Sequence, residues 1–417
     1  MFRHVKSLAA LALILCPALS RSAEWAEWHG PNRDSLSAET GLLKTWPKGG
    51  PRLLWTTKGL GKGYSIVSIK DGTIYTSGAI GKQTYVIALG LDGKPKWKSP
   101  NGTAWKPEPW ARFARTHGGA RATPTLDDGM AYHLNELGRL AAFDAKTGTE
   151  KWAIDTPGRF EAKGPKWGYA ESVLIIGDHL ICYPGGKKGY LVALNKKTGE
   201  LVWANTTIGQ AASYCSPMLV EVAGLTQIIT STADGVLGAD PTTGTLLWSH
   251  PHTNMRKINV INPVCSGDRV FISNGYGGGS VQVKLTVTPD AVRAGEAWKT
   301  KAPDNHHGGM VLIGDHLYGS GHYKKGWGCF EFKTGKETWR TKQGKGSILY
   351  ADGMLYCLDE RGTMTLVKPS PAAFKAVSKF KVPPGGEGLY WAHPVVCDGR
   401  LYIRHADRLY AYDIRAR

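Results

Sequence analysis

The chain predicts an all-β fold: an eight-bladed β-propeller with tryptophan-docking motifs, its ring closed by the N-terminal strand. Three observations carry this reading. Eleven-residue phrases ending in tryptophan recur along the chain, as in A-F-D-A-K-T-G-T-E-K-W (Ala142 to Trp152) and A-L-N-K-K-T-G-E-L-V-W (Ala193 to Trp203). A second pattern, an apolar run, a Gly-Asp or Asp-Gly turn and another apolar run, lies upstream of most phrases, as at Leu174-Ile175-Ile176-Gly177-Asp178. After the last closing aromatic, Phe380, only three strands' worth of chain remains.

Each phrase reads as strand, Thr-Gly turn and strand. The glycine supplies the positive φ of a tight turn, and the Asp or Asn upstream bonds the turn backbone. The closing aromatics fall at Trp55, Trp97, Trp152, Trp203, Trp248, Trp298, Trp339 and, weakened, Phe380, spaced 41 to 55 residues apart. That period means stacked four-stranded units, each needing a neighbour on both apolar faces. The upstream pattern supplies each blade's inner hairpin. Arg52 to Trp55 then provides the outer strand missing after Leu409 to Asp413, which removes two open sheet edges. No apolar period of 3.6 residues is sustained, so almost no helix is expected.

The expected domains are a signal peptide over residues 1–20 (cleavage up to 23), an N-terminal extension over 24–49 and the propeller over 50–417. Arg3 and Lys6 precede an apolar run from Leu8 to Leu19, too short to span a bilayer. Leu15 before Cys16, not a small residue, argues against a lipid anchor. Export to a periplasm or beyond is the expectation, with no transmembrane segment. The six remaining cysteines are scattered singly on strand patterns and read as small buried hydrophobes. The formal charge of +18 favours anionic surfaces or solubility, and in an exported chain it does not point to nucleic acid.

The phrase A-x-D-x-x-T-G-x-x-x-W resembles the tryptophan-docking repeat of the pyrroloquinoline-quinone-type propellers, the quinoprotein alcohol dehydrogenase-like superfamily. The resemblance covers all eight units. Three segments, Trp25 to Arg33 (W-A-E-W-H-G-P-N-R), Pro165 to Ser172 and Asn305 to Gly309, look like exported propellers of Planctomycetes-type bacteria. The resemblance implies the fold and, for the dehydrogenase branch, pyrroloquinoline quinone with calcium. Departures count against that cofactor: no two cysteines are adjacent to form the expected vicinal disulfide, and no calcium set of Glu, Asn and Asp is evident. The unit ending at Trp298 also replaces the Thr-Gly turn with Thr288-Pro289-Asp290. No cofactor and no metal are expected.

In a propeller, the residues just before the eight inner strands converge on one mouth of the central channel. Here they supply Tyr64, Arg121, Trp167, Tyr169, Glu171, Tyr214, Asn262, Asn305, His306, His307, Lys345, Trp391 and His393. Aromatic faces with convergent hydrogen-bonding groups suit a polar or anionic small molecule or a glycan, or a protein partner on that face. The bland alternative is that they fill the mouth. Glu171, with His306 or His393 across from it, is a weak catalytic candidate; a structural carboxylate bonding backbone amides is the competing reading. His306, His307 and His322 lack the spacing of a metal set. The long connector from Lys98 to Gly119 carries Trp105, Trp110, Arg112, Phe113, Arg115 and His117, which suits sugar stacking or a lid. Gly277-Gly278-Gly279 has no helix after it and reads as a hairpin. Two function classes follow: an exported, non-enzymatic binding or scaffold propeller, expected as a monomer, and a quinoprotein-like oxidoreductase using the same mouth.

Overall fold

The computed structural model describes residues 24–107 and 118–416. The expected signal peptide with Cys16, and Trp110, Arg112, Phe113, Arg115 and His117 of the long connector, lie outside the described residues. Eight antiparallel blades follow one another in chain order: blade 1 (Ser68–Lys70, Thr73–Ile80, Gln83–Gly90, Pro95–Thr103), blade 2 (125–155), blade 3 (174–205), blade 4 (218–251), blade 5 (264–300), blade 6 (310–340), blade 7 (346–381) and blade 8 (Val395–Cys397, Arg400–His405, Arg408–Asp413). Blade 8 takes its outer strand from Arg52–Thr57, which pairs antiparallel with Arg408–Asp413. Blade count and closure are as the repeats predict. The single helix among the described residues is five residues long, Thr156–Phe160. Part of the long connector is strand rather than loop, because Pro95–Thr103 runs on past the blade's closing Trp97.

The phrase builds the seams between blades. Asp144 Oδ1 accepts the Thr147 amide at 2.9 Å and Asn195 Oδ1 the Lys197 amide at 2.9 Å, which ties down the turns. Five closing indoles donate their N–H to a carbonyl of the next blade, among them Trp55 to Leu91 at 2.9 Å, Trp97 to Ala145 at 2.9 Å and Trp152 to Lys196 at 3.0 Å, whereas the buried Nε1 of Trp203 has no hydrogen-bond partner. The ring lies on the next blade's turn glycine, so a Cβ at Gly148 would stand 2.6 Å from Trp97. In the outer hairpin of every blade the pairing register slips by one residue, beside the closing tryptophan in seven of them and at Val377, three residues before Phe380, in the other; Ala193 faces Trp203, yet Leu194 faces Leu201. Such a bulge re-aims a side chain, here toward the neighbouring blade. Where the partner lacks a Thr-Gly turn, the docking changes. Trp248, facing the irregular blade 5, donates to Gln227 of its own blade at 2.5 Å. Phe380, with no N–H, packs edge-on against Trp46 at 5.2 Å.

Residues 24–49 are integral to the ring. Trp25 pairs with Ile69 of blade 1, and the Ala26 carbonyl accepts the Leu126 amide of blade 2. Arg33, 2% exposed, donates to the carbonyls of Ser172, Val173 and Pro217 in blades 3 and 4. Its Nε is 2.8 Å from Glu27. Leu36–Ser37 then lies parallel to Tyr350 and Ala351, adding a fifth strand to the channel edge of blade 7. Glu39 accepts the Asp398 and Gly399 amides of blade 8. The segment contacts the lower ends of inner strands as it enters and leaves, with Trp28 and His29 between. It is a plug in the channel.

Candidate functional site

Above the plug lies a concavity of about 1060 Å³, open to solvent. Its floor is Trp28 and His29, stacked with ring centres 4.0 Å apart, with His393 4.5 Å from His29. One wall is Trp391, whose ring lies 5.3 Å from Tyr64 and 4.7 Å from His307. Opposite elements bring Trp167, Tyr214 and Tyr276, and Ile258, Val260 and Ile261 complete an apolar side.

Hydrogen bonds fix the polar groups. Arg121 donates from Nε to the Trp167 carbonyl at 2.9 Å, and its guanidinium lies over Tyr64 and Trp105. Burial lowers the pKa of Arg121 from its ordinary value. The Tyr214 hydroxyl accepts the Trp167 amide at 3.2 Å. Trp391 donates from Nε1 to Glu360 at 2.6 Å, and Lys345 pairs with the same oxygen at 2.9 Å. Burial holds the imidazoles neutral: His393 is pushed down to about 4, and His29 and His307 well below the ordinary histidine value. Nε2 of His29, Nε2 of His307 and Nδ1 of His393 are buried without a hydrogen-bond partner. His393 Nε2 and the His307 carbonyl are bonded at 2.7 Å, which joins the two walls.

Eight of the sequence-derived candidates meet here: Tyr64, Arg121, Trp167, Tyr214, His306, His307, Trp391 and His393. Five do not line the concavity. Glu171, 3% exposed, accepts the Tyr183 amide on both oxygens at 3.0 and 3.1 Å inside blade 3. Burial pushes its carboxyl up to about 8, with the Arg33 charge opposing. The expected pairing of Glu171 with His306 or His393 is therefore corrected: the carboxylate is taken up by a single amide, that of Tyr183 just past the strand His179–Cys182. Tyr169 is buried and donates to the Pro184 carbonyl at 3.0 Å. Asn305, fully buried, bonds the Gly309 and Ser320 carbonyls at 2.9 and 2.7 Å. Asn262 borders a different cavity, and Lys345 sits behind Trp391 on Glu360. Strand-start residues alternate in direction, so position in the chain alone does not say which of them faces the axis.

Trp28, His29 and Tyr276 are the aromatic lining residues that the repeat pattern missed, with the apolar Ile258, Val260 and Ile261. The first two lie in the plug, outside every repeat. Tyr276 sits in the Gly-rich turn between Arg269–Asn274 and Gly279–Val287, at φ 57°, with its ring 4.9 Å from His306 and 4.6 Å from His322. The available signal was topological: these turns emerge on the same face as the connectors between blades. Trp105 of the long connector also reaches the rim, 6.1 Å from Trp167.

The lining donors are imidazole, indole, phenol and guanidinium, with no lining carboxylate among the described residues. No group of three or more His, Cys, Asp or Glu among the described residues is placed to hold a metal. The six described cysteines are free thiols. Calcium takes six to eight oxygen ligands, so this donor set does not fit a calcium-held quinone.

The family described as outer membrane protein assembly factor BamB (PQQ_2) matches residues 82–341. Outer membrane protein assembly factor BamB of Shewanella oneidensis is 23% identical over 320 residues, 69% of this chain and 74% of that protein. Quinoprotein alcohol dehydrogenase PedH of Pseudomonas putida is 26% identical over 257 residues, 59% of this chain but only 38% of the dehydrogenase. Two solved structures share the fold. BamB from Moraxella catarrhalis gives a TM-score of 0.63 at 14% identity, covering 87% of this chain and 100% of that one. Quinohemoprotein alcohol dehydrogenase from Comamonas testosteroni gives 0.63 at 13% identity, covering 95% and 81%. No helix among the described residues is long and apolar enough to cross a membrane.

Proposed function

Since the chain belongs to the outer membrane protein assembly factor BamB family, we propose that it is an exported, non-enzymatic binding propeller that holds a ring-shaped polar or anionic ligand at its channel mouth. The carrying observation is the lining itself: aromatic rings on both sides of the concavity, Arg121 among them and no lining carboxylate among the described residues. Flat faces suit sugar or other cyclic ligands, and the buried imidazole nitrogens of His29, His307 and His393 are directional partners for hydroxyl or carbonyl groups. General acid–base work favours a group that titrates near neutrality. His29, His307 and His393 are held far below it, and Glu171 is inside a blade. Export rests on the N-terminal leader pattern and on the named role of the BamB relative in outer-membrane assembly.

The quinoprotein dehydrogenase reading keeps one observation in its favour, the 26% identity to PedH. The expected result of incubation with quinone and calcium, followed by a dye-linked assay on alcohols and sugars, is no turnover. Robust dye reduction would promote the enzyme reading. For the binding reading, a panel of neutral sugars, uronates and cyclic carboxylates is titrated against the full chain. Trp167→Ala should abolish the response and leave Tm nearly unchanged, whereas Trp203→Ala should lower Tm and leave the binding of the folded fraction intact. If Trp167→Ala destabilises as much as Trp203→Ala, the mouth cluster is structural filling and the proposal fails.

A further inference from the structure

The plug fills the lower channel unevenly. It contacts blades 1 to 4, 7 and 8, and leaves a crevice of about 1080 Å³ beside the inner strands of blades 4, 5 and 6, from Asn262 and Gly309 just before them to Glu221 and Leu312. His29 borders both this crevice and the mouth cavity, so the plug separates two compartments of one channel.

The crevice differs from the mouth in charge. In a chain of +18, its border carries two carboxylates, Asp34 of the plug and Glu221 of blade 4. Its one cationic residue, Arg33, is already engaged by Glu27 and three backbone carbonyls. Met218, Met310 and Leu312 supply an apolar wall. Asn262, 6% exposed, takes the Cys215 thiol on Oδ1 at 3.8 Å, and its buried Nδ2 has no hydrogen-bond partner. A buried amide donor without an acceptor is costly, and a ligand carbonyl would relieve it.

The backbone adds a third argument. The inner strand of blade 4, Met218–Val222, is paired on one side only, with Leu225–Ser231, and its other edge faces the channel. In blade 7 the equivalent edge is occupied by an extended segment, Leu36–Ser37. The same mode of strand addition is therefore already used once in this channel.

We propose that the lower crevice is a second ligand site and that it takes the free amino terminus of an apolar peptide. The α-ammonium meets Asp34 and Glu221, the first carbonyl accepts from Asn262, and the apolar side chains lie on Met218, Met310 and Leu312 along the open strand edge. Burial raises the Asp34 carboxyl above its ordinary range, with the hydrogen bond from the Leu36 amide opposing. The proposal is independent of the mouth reading, because it uses the opposite compartment.

The test is calorimetric titration of the full chain with leucyl-leucinamide and with its N-acetyl derivative, at about pH 6.5 where an α-amine is charged. The free amine should bind, and acetylation should weaken binding at least tenfold. Glu221→Gln, on an exposed side chain, should weaken the free-amine peptide severalfold. So should Asp34→Asn, which keeps the oxygen that accepts the Leu36 amide. Trp167→Ala should leave peptide binding unchanged. Equal binding of the two peptides, no binding of the free amine, or loss on Trp167→Ala each overturns the proposal; the last would place the peptide in the mouth.

Discussion

The seams between blades and the channel mouth both rest on tryptophan, and they use it differently. At a seam, Trp97 or Trp152 donates from its indole to a carbonyl of the next blade and lays its ring on that blade's turn glycine. The ring-on-glycine contact repeats at Trp55, Trp97, Trp152, Trp203 and Trp298, where the next blade carries a glycine in its outer turn. At the mouth, no two indoles have the same surroundings. Trp167 is held through its backbone by Arg121 and Tyr214, while Trp391 is held through its indole by Glu360. A residue that recurs in register serves the packing every blade needs. A residue of the same type that departs from the register has a task of its own, and that contrast separates stability from candidate function here.

The largest effect that would break the contrast comes from the N-terminal segment, which serves both regions. Removing residues 24–57 deletes the closing strand, the plug and the ring that packs on Phe380. Cooperative thermal unfolding should disappear; a truncated chain that melts like the full one would show that the ring closes without it. Next in size is the indole comparison. Trp97→Ala should cost about 3 kcal/mol in denaturant unfolding, from lost packing and the loss of one of the two hydrogen bonds to the Ala145 carbonyl, which keeps the Tyr75 hydroxyl, and Trp391→Ala about 1 kcal/mol or less. Similar losses at the two positions would erase the distinction.

How much of this was legible in the sequence follows the same division. The blade count and the closure by Arg52–Thr57 were readable because the closing aromatics recur. The mouth was readable in part: Arg121, Trp167 and Trp391 precede inner strands and face the axis. Glu171 precedes one too, yet its carboxylate turns to the Tyr183 amide. Trp28 and His29 were not readable as site residues, since a segment outside the repeats gives no register from which to place it. The burial of Glu171 has a measurable consequence. Its folded pKa, about 8, lies above the unfolded carboxyl value, so its share of stability is full below about pH 4.5 and is lost as pH rises toward 8. Glu171→Gln removes that loss while keeping an acceptor for the Tyr183 amide. The Tm of the variant relative to the parent should rise steadily from pH 4.5 to pH 9, by an amount on the order of 2 kcal/mol or more in unfolding free energy. A difference that stays flat with pH would place the ionised carboxylate in a solvated site.

The smallest effect isolates the seam from the turn chemistry that builds it. Blade 2 contains two glycines with nearly the same left-handed backbone, Gly129 at φ 72° and Gly148 at φ 75°. Gly129 lies in the inner hairpin turn, and nothing stands within 4 Å of where its Cβ would be. Gly148 lies under Trp97, with the indole and the Ser99 hydroxyl both 2.6 Å from that point. Alanine at either position meets the same backbone penalty, about 1–2 kcal/mol for an L-residue held left-handed. Only at Gly148 must the neighbouring blade's indole also move, which stretches its bond to the Ala145 carbonyl. Gly148→Ala should therefore cost about 1–2 kcal/mol more than Gly129→Ala in the same denaturant series. Moreover, the excess should vanish when both are measured in a Trp97→Ala, Ser99→Ala background, where neither the ring nor the hydroxyl remains to displace. An excess that survives there would mean that the turn, and not the docked indole, selects the glycine.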